Sequence, residues 1–265
     1  MNVRRTGAAL PAVLTMILLP GGEGAAQRAA AESSQRSSRG AVSVAVAANF
    51  ADVHAQLAAR FSSSTGHRLI TSAGSSGQLY AQIMSGAPFE VFLSADTARP
   101  AQLERDGLTV AGTRFTYAVG RLALFGPSLD SVRADGEDLR AARFAHVAIA
   151  NPTTAPYGAA AVQVIARLGL TQALRDRLVQ GESIAQTFQF VKSGAAELGF
   201  VAWSQVVRER RHRYWLVPAE QHDVIAQDAV LLRRGAANAA ARAYIEFLRG
   251  DLARRMIAAQ GYELR

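Results

Sequence analysis

Four short turns in this chain carry residue types suited to holding a small oxyanion. The most informative is Ser72-Ala73-Gly74-Ser75-Ser76-Gly77-Gln78-Leu79, which follows a β-like run from His67 to Thr71 and leads into a helix-like run from Gln78 to Met84. Small residues let the backbone approach a ligand closely, the serines add hydroxyls, and the first-turn amides of a helix have no intrahelical acceptor. Those free N–H groups and the positive end of the helix dipole point the same way, which favours an anion. No lysine stands where a phosphate-binding P-loop requires one. Such a turn is also an ordinary connector, so its weight depends on others that converge with it.

Three further turns have the same character. In Ala47-Ala48-Asn49-Phe50, Asn49 reads either as a cap for the helix that begins at Phe50 or as an amide beside free backbone N–H groups that faces a ligand. In Asn151-Pro152-Thr153-Thr154-Ala155-Pro156-Tyr157-Gly158, Pro156 suits the first helical position and leaves the amides of Tyr157 and Gly158 open, so the backbone of Tyr157 matters more than its hydroxyl. In Gly181-Glu182-Ser183-Ile184-Ala185-Gln186, Ser183 caps a helix and exposes the amides near Ile184 and Ala185. The first three turns contain no lysine, arginine or histidine. A site built from neutral donors suits a fully deprotonated tetrahedral ion, because a protonated oxygen wants an acceptor. Asn49 and the serine hydroxyls also accept, so hydrogen phosphate is disfavoured rather than excluded.

Nucleophilic catalysis is the competing chemistry. Ser75 or Ser76 would need a base and an orienting carboxylate, and the Gly-x-Ser-x-Gly elbow is present only at the wrong spacing. His54, His67, His146, His212 and His222 are scattered without a metal-binding pattern, and Asp96 reads as a cap for the helix after it. The expectation is a protein that is not an enzyme, with no catalytic residue, no metal site and no cofactor.

The positioning elements alternate between strand and helix, which argues for α/β layers. Val42 to Ala48 is a short apolar strand, and Phe50, Val53, Leu57 and Phe61 then mark one helical face. Strands are expected at 67–71, 89–93, 146–150 and 198–203, with 214–217 beside the last. Helices are expected at 99–105, 157–168, 171–178, 184–192, 236–248 and 252–259. Two longer strands, 117–125 and 224–232, bracket the middle unit. The chain thus leaves one lobe, builds a second and returns, which makes a hinge of two crossings and a cleft. The expected division is 1–40 as signal peptide and flexible lead-in, 41–118 with 228–265 as lobe one, and 119–227 as lobe two.

The 265 residues, 49% of them hydrophobic, are enough for two such lobes. Met1 to Arg5 reads as a basic n-region, Gly7 to Leu19 as an apolar h-region, and the alanines near 25–31 as cleavage sites, so export by the general secretory route into a periplasm is expected. The absence of cysteine excludes a disulfide framework, a thiol nucleophile and a lipid-modified cysteine. Of the net charge of +8, the segment through Gly40 carries a share of five arginines against two glutamates. The run Arg208, Arg210, Arg211 and Arg213 reads as a solvated helix end, and no nucleic-acid partner is expected.

Five segments, in order, resemble the periplasmic molybdate-binding proteins of ABC transporters. They are Ala47 to Phe50, Gly74 to Leu79, Gly86 to Asp96, Asn151 to Gly158, and Leu198 to Val201. The resemblance covers nearly all of residues 41–265. It implies a type II periplasmic binding-protein fold, molybdate or tungstate held in the cleft, and a membrane permease as partner, with the binding protein a monomer. Carried over by position, the ligand donors would be Ala48 and Asn49, Ser76, the backbone of Tyr157, and the backbone near Ile184. The chain has Asn49 where some members have serine, and Ala202 where some have a ligand-contacting tyrosine. Sulfate or thiosulfate is the alternative ligand. A two-lobed sensing domain of a transcriptional regulator is disfavoured by the export signal and by the lack of a helix-turn-helix segment.

Overall fold

The computed structural model describes residues 40–127, 132–141, 143–210 and 213–264. The expected signal peptide and lead-in, Gly40 apart, lie outside the described residues. Two five-stranded sheets, each faced by helices, form the two expected α/β lobes. In the first sheet, β1 (Ala41–Ala47), β2 (Arg68–Gly74) and β3 (Val91–Leu93) are parallel, and β10 (Ile225–Leu231) lies antiparallel between β3 and β4 (Phe115–Gly120). In the second, β6 (Val147–Ala150), β7 (Leu178–Gly181) and β8 (Leu198–Ala202) are parallel, and β5 (Leu122–Phe125) lies antiparallel between β8 and β9 (Tyr214–Leu216).

Period-2 alternation sets the layers. Val42, Val44 and Val46 of β1 face α1 (Ala51–Thr65), whose Phe61, Leu57 and Val53 are buried as the sequence periodicity predicts, together with Tyr244 of α9 (Ala239–Arg249) and Ile257 of α10 (Asp251–Ala258). Ala45 points to the other face, toward Leu79 of α2 (Ser76–Met84) and Leu103 of α3 (Ala98–Arg105). The second sheet is covered likewise. Val147 and Ile149 meet Val164 of α5 (Pro156–Arg167), while Ala148 faces Val191 of α7 (Ile184–Lys192). Short helices α4 (Glu137–Ala141), α6 (Thr171–Leu174) and α8 (Trp203–Val206) complete the second lobe. Among the described residues no helix is long and apolar enough to cross a membrane.

Three expectations are corrected. The single strand at 117–125 is two strands in different sheets. β4 pairs with β10 as far as Gly120, β5 pairs with β8 from Leu122, and between them the Arg121 carbonyl accepts the Trp203 N–H at 2.8 Å. An apolar run carries no signal for such a change of partner. The helix expected at 171–178 runs to Arg177, α-helical through Leu174 and 3-10 over Arg175–Arg177, and Leu178–Gly181 is an unanticipated strand, four residues long at the sheet edge. β9 pairs with β5 rather than with the strand at 198–202. Pairing of the hinge strands runs through Gly120 and Ile225, past the expected changes of lobe at 118 and 228, and a bridge from Val119 to Glu263 adds the C-terminal segment to the same edge.

His54 sits in the core of the first lobe, 1% exposed, with Nδ1 3.3 Å from the Thr71 hydroxyl and its ring edge-on to Tyr244. Burial pushes its pKa down from 6.5 to about 4. The unfolded chain therefore takes up the proton first as pH falls. Stability from this group is full above the unfolded pKa and is lost progressively from there toward the folded one. At roughly 1.4 kcal/mol per unit, the loss between pH 7 and pH 5 is about 2 kcal/mol. Urea denaturation at both pH values should show a smaller loss for His54→Gln than for the wild type; equal losses would remove His54 from this account.

Candidate functional site

Each lobe launches two turns from the carboxyl ends of neighbouring parallel strands. Ala47 and Gly74 are register partners at the ends of β1 and β2, and Ala150 and Gly181 are register partners at the ends of β6 and β7. Both turns of a pair therefore start side by side, on the edge where open α/β sheets receive ligands.

Beyond Ala47 the chain makes one 3-10 turn, Ala48–Phe50, before α1. Asn49 does not cap this helix. Its Nδ2 donates to Gln227 Oε1 at 2.9 Å and to the Tyr262 hydroxyl at 3.0 Å, and its carbonyl accepts from the same hydroxyl at 2.8 Å. An amide nitrogen has two protons, and both are used inside the protein. The donors this turn has left are the backbone N–H groups of Ala48 and Asn49.

At the second turn Ser75 is the cap, with Oγ accepting from Gln78 N–H at 3.4 Å and Gln78 Oε1 accepting the Ser75 N–H at 3.3 Å, a reciprocal capping box. Ser76 is the first helical residue, 1% exposed, with Oγ accepting the Ala95 N–H at 2.9 Å. That bond orients the oxygen and leaves the hydroxyl proton to donate elsewhere. Both serine oxygens thus accept from backbone N–H groups.

Pro156 opens α5 as the sequence predicts, but the Gly158 N–H donates to the Ala155 carbonyl at 2.9 Å. Of the two amides expected open here, that of Tyr157 remains. Ser183 caps α7 through Oγ to Gln186 N–H at 3.3 Å, which puts Ile184 at the first helical position. Because β7 precedes it, this fourth turn also joins a strand to a helix.

The structure brings all five expected residues, Ala48, Asn49, Ser76, Tyr157 and Ile184, onto one small cavity. Ser75 joins the wall, with Ala47, Ala95 and Ala155 keeping it close to the backbone, and among the described lining residues none is charged. Ala202, the last residue of β8, is buried and is not part of the wall. The lobes meet around the cavity. Gly77 N–H donates to the Thr154 carbonyl at 2.8 Å, and Arg99, paired with Asp96, donates to the Thr153 carbonyl at 2.9 Å. A Cβ on Gly77 would lie 2.8 Å from Thr154 Cα, so only glycine lets the rim close this far.

Behind the cavity is a polar cluster that the sequence reading missed. Gln227, Tyr117, Tyr157 and Tyr262 are all buried there. Burial holds the Tyr117 and Tyr157 hydroxyls well above the usual tyrosine range and pushes Tyr262 up to about 12, so all three stay protonated. The signal available was Gln227-Asp228 in the middle of an otherwise apolar strand.

Two lobes with converging helix starts define a binding protein that closes on a small solute. Residues 42–263 match the model of the family described as bacterial extracellular solute-binding protein, and the chain belongs to that family. It is 52% identical over 226 residues to the molybdate-binding protein ModA of Azotobacter vinelandii, spanning 84% of this chain and 90% of the relative. To the molybdate-binding protein ModA of Rhodobacter capsulatus it is 46% identical over 224 residues, spanning 84% and 88%. Among solved structures, the periplasmic molybdate-binding protein of Azotobacter vinelandii matches with a TM-score of 0.81 at 39% identity, covering 84% of this chain and all but 1% of the other, at 99%.

The two serines separate by role. Ser75→Ala removes a cap acceptor and should lower unfolding stability by about 1 kcal/mol, read as a lower urea midpoint with unchanged slope. An unchanged midpoint would show that the capping box contributes nothing.

Proposed function

We propose that this protein captures molybdate in the cavity between its lobes and delivers it to the membrane permease of an ABC transporter. The observation that carries the reading is the cavity itself, an uncharged pocket lined by residues from four strand-to-helix turns, in a chain whose relatives are molybdate-binding proteins. A tetrahedral dianion offers only acceptors, and the unspent groups at this wall are donors: the Ala48 and Asn49 amides and Ser76 from one lobe, and the Tyr157 and Ile184 amides from the other. Each hydrogen bond to a charged group contributes about 1.5–3 kcal/mol. Because the donors are divided between the lobes, only the closed form completes the set, and that form is the one that docks on the permease.

Tungstate, with the same charge and shape, fits the same donors. The protein works as a monomer in the periplasm, after loss of its leader, and binds without cofactor or turnover.

Isothermal titration with molybdate, tungstate, sulfate and phosphate tests the reading. The first two should bind tightly. Micromolar or tighter sulfate binding with no molybdate response would overturn it. Ser76→Ala should weaken molybdate by about 1–3 kcal/mol, the loss of one hydrogen bond to a charged ligand, and unchanged affinity would take Ser76 out of the site.

A further inference from the structure

Gln227 lies on β10, the strand by which the chain re-enters the first lobe's sheet, and it is fully buried. Its Oε1 accepts from Asn49 Nδ2 at 2.9 Å and from the Tyr117 hydroxyl at 3.1 Å, while its Nε2 donates to the Tyr157 hydroxyl at 3.1 Å. One side-chain amide is thus bonded to a cavity turn of the first lobe and to the helix start that the second lobe brings to the cavity. Tyr157 reaches it past Gly120, the last residue of β4. A Cβ on Gly120 would lie 2.0 Å from the Tyr157 hydroxyl oxygen and 2.6 Å from Gln227 Nε2. The hinge strand therefore has a gap where the ring of one lobe enters the sheet of the other.

We propose that Gln227 is a positioning residue for the oxyanion site, a pin that aims the Asn49 turn and the Tyr157 helix start together and makes that aim conditional on closure. Swinging the lobes apart separates Tyr157 from Gln227, and in so buried a place the broken bond leaves polar groups without partners until water enters. The Tyr157 amide, at the cavity, and its hydroxyl, at the hinge, belong to one residue at the start of α5, so holding the hydroxyl fixes where the amide points. Asn49 is held in the same way from the other side, with Tyr262 gripping both its side chain and its carbonyl. Ser204 of α8 donates to Tyr262 at 3.0 Å and ties the second lobe to the same cluster.

This inference rests on the molybdate reading, and a double-mutant cycle separates the two. Molybdate affinity and dissociation rate are measured for the wild type, Tyr157→Phe, Gln227→Met and the double variant, with thermal melts of each. Tyr157→Phe keeps the backbone amide and removes only the hydroxyl. Each single variant should weaken binding roughly tenfold, mainly through faster dissociation, and the double variant should be little worse than either single one. A purely structural role would lower the melting temperature and leave the affinity unchanged. Folded variants with wild-type affinity, or effects that simply add, would overturn the proposal. If Gln227→Met does not fold, Tyr157→Phe carries the test alone: roughly tenfold weaker binding through faster dissociation supports the proposal, and a folded variant with wild-type affinity overturns it. If the wild type ignores molybdate but binds another ion of the panel, the function reading falls and the cycle is run with that ion. Binding of none of them overturns both.

Discussion

A doubly charged ion enclosed by a wall without charges has to be met by dipoles that are already aimed. Water solvates such an ion from all sides, so a cavity that replaces it needs several donors at fixed places before the ion arrives. This requirement accounts for much of the architecture. Amide donors with no acceptor of their own occur at helix starts. Bringing four helix starts to one point takes two sheets whose neighbouring strands end level, which the register pairs Ala47–Gly74 and Ala150–Gly181 provide. The alanines of the wall belong to the same logic, since larger side chains would hold the ligand away from the backbone.

Dividing the donors between two lobes shifts the difficulty to the hinge. A hinge must move, yet the closed form must be one defined arrangement rather than a range of near misses. The polar cluster of Asn49, Tyr117, Tyr157, Gln227 and Tyr262 meets both needs, because hydrogen bonds specify geometry closely and exchange with water when exposed. At the rim, Gly77 and Arg99 contact loop carbonyls of the other lobe. Cavity, hinge and rim are thus three layers of contact across one cleft.

The fold class and the positions of the turns that line the cavity could be read from the sequence because they depend on local chemistry. Small residues, a proline at a first helical position and cap serines all act within a few residues of the chain, and each turn they mark sits where it was expected. What could not be read depends on partners far along the chain. The split of 117–125 is set by Ile225 and Ala202, the opposite neighbours of Gly120 and Leu122. β7 is four residues, of which only Gly181 is buried, with β6 as its sheet partner, and it is too short for a periodic pattern. Asn49 was read as a cap or a ligand donor, and its actual partners, Gln227 and Tyr262, lie 178 and 213 residues away in sequence.

The place of β10 between β3 and β4 has a consequence for the order of assembly. β3 and β4 never touch each other through hydrogen bonds, so the first lobe's sheet stays in two pieces until the strand at 225–231 arrives. α9, α10 and Tyr262 come later still. The second lobe, an uninterrupted stretch between the two crossings, has all its strands available earlier. Non-local pairing of this kind is slow and comes at the end of folding. A chain emerging from its N-terminus would complete its second lobe before its first, and the last event would be the one that builds the hinge.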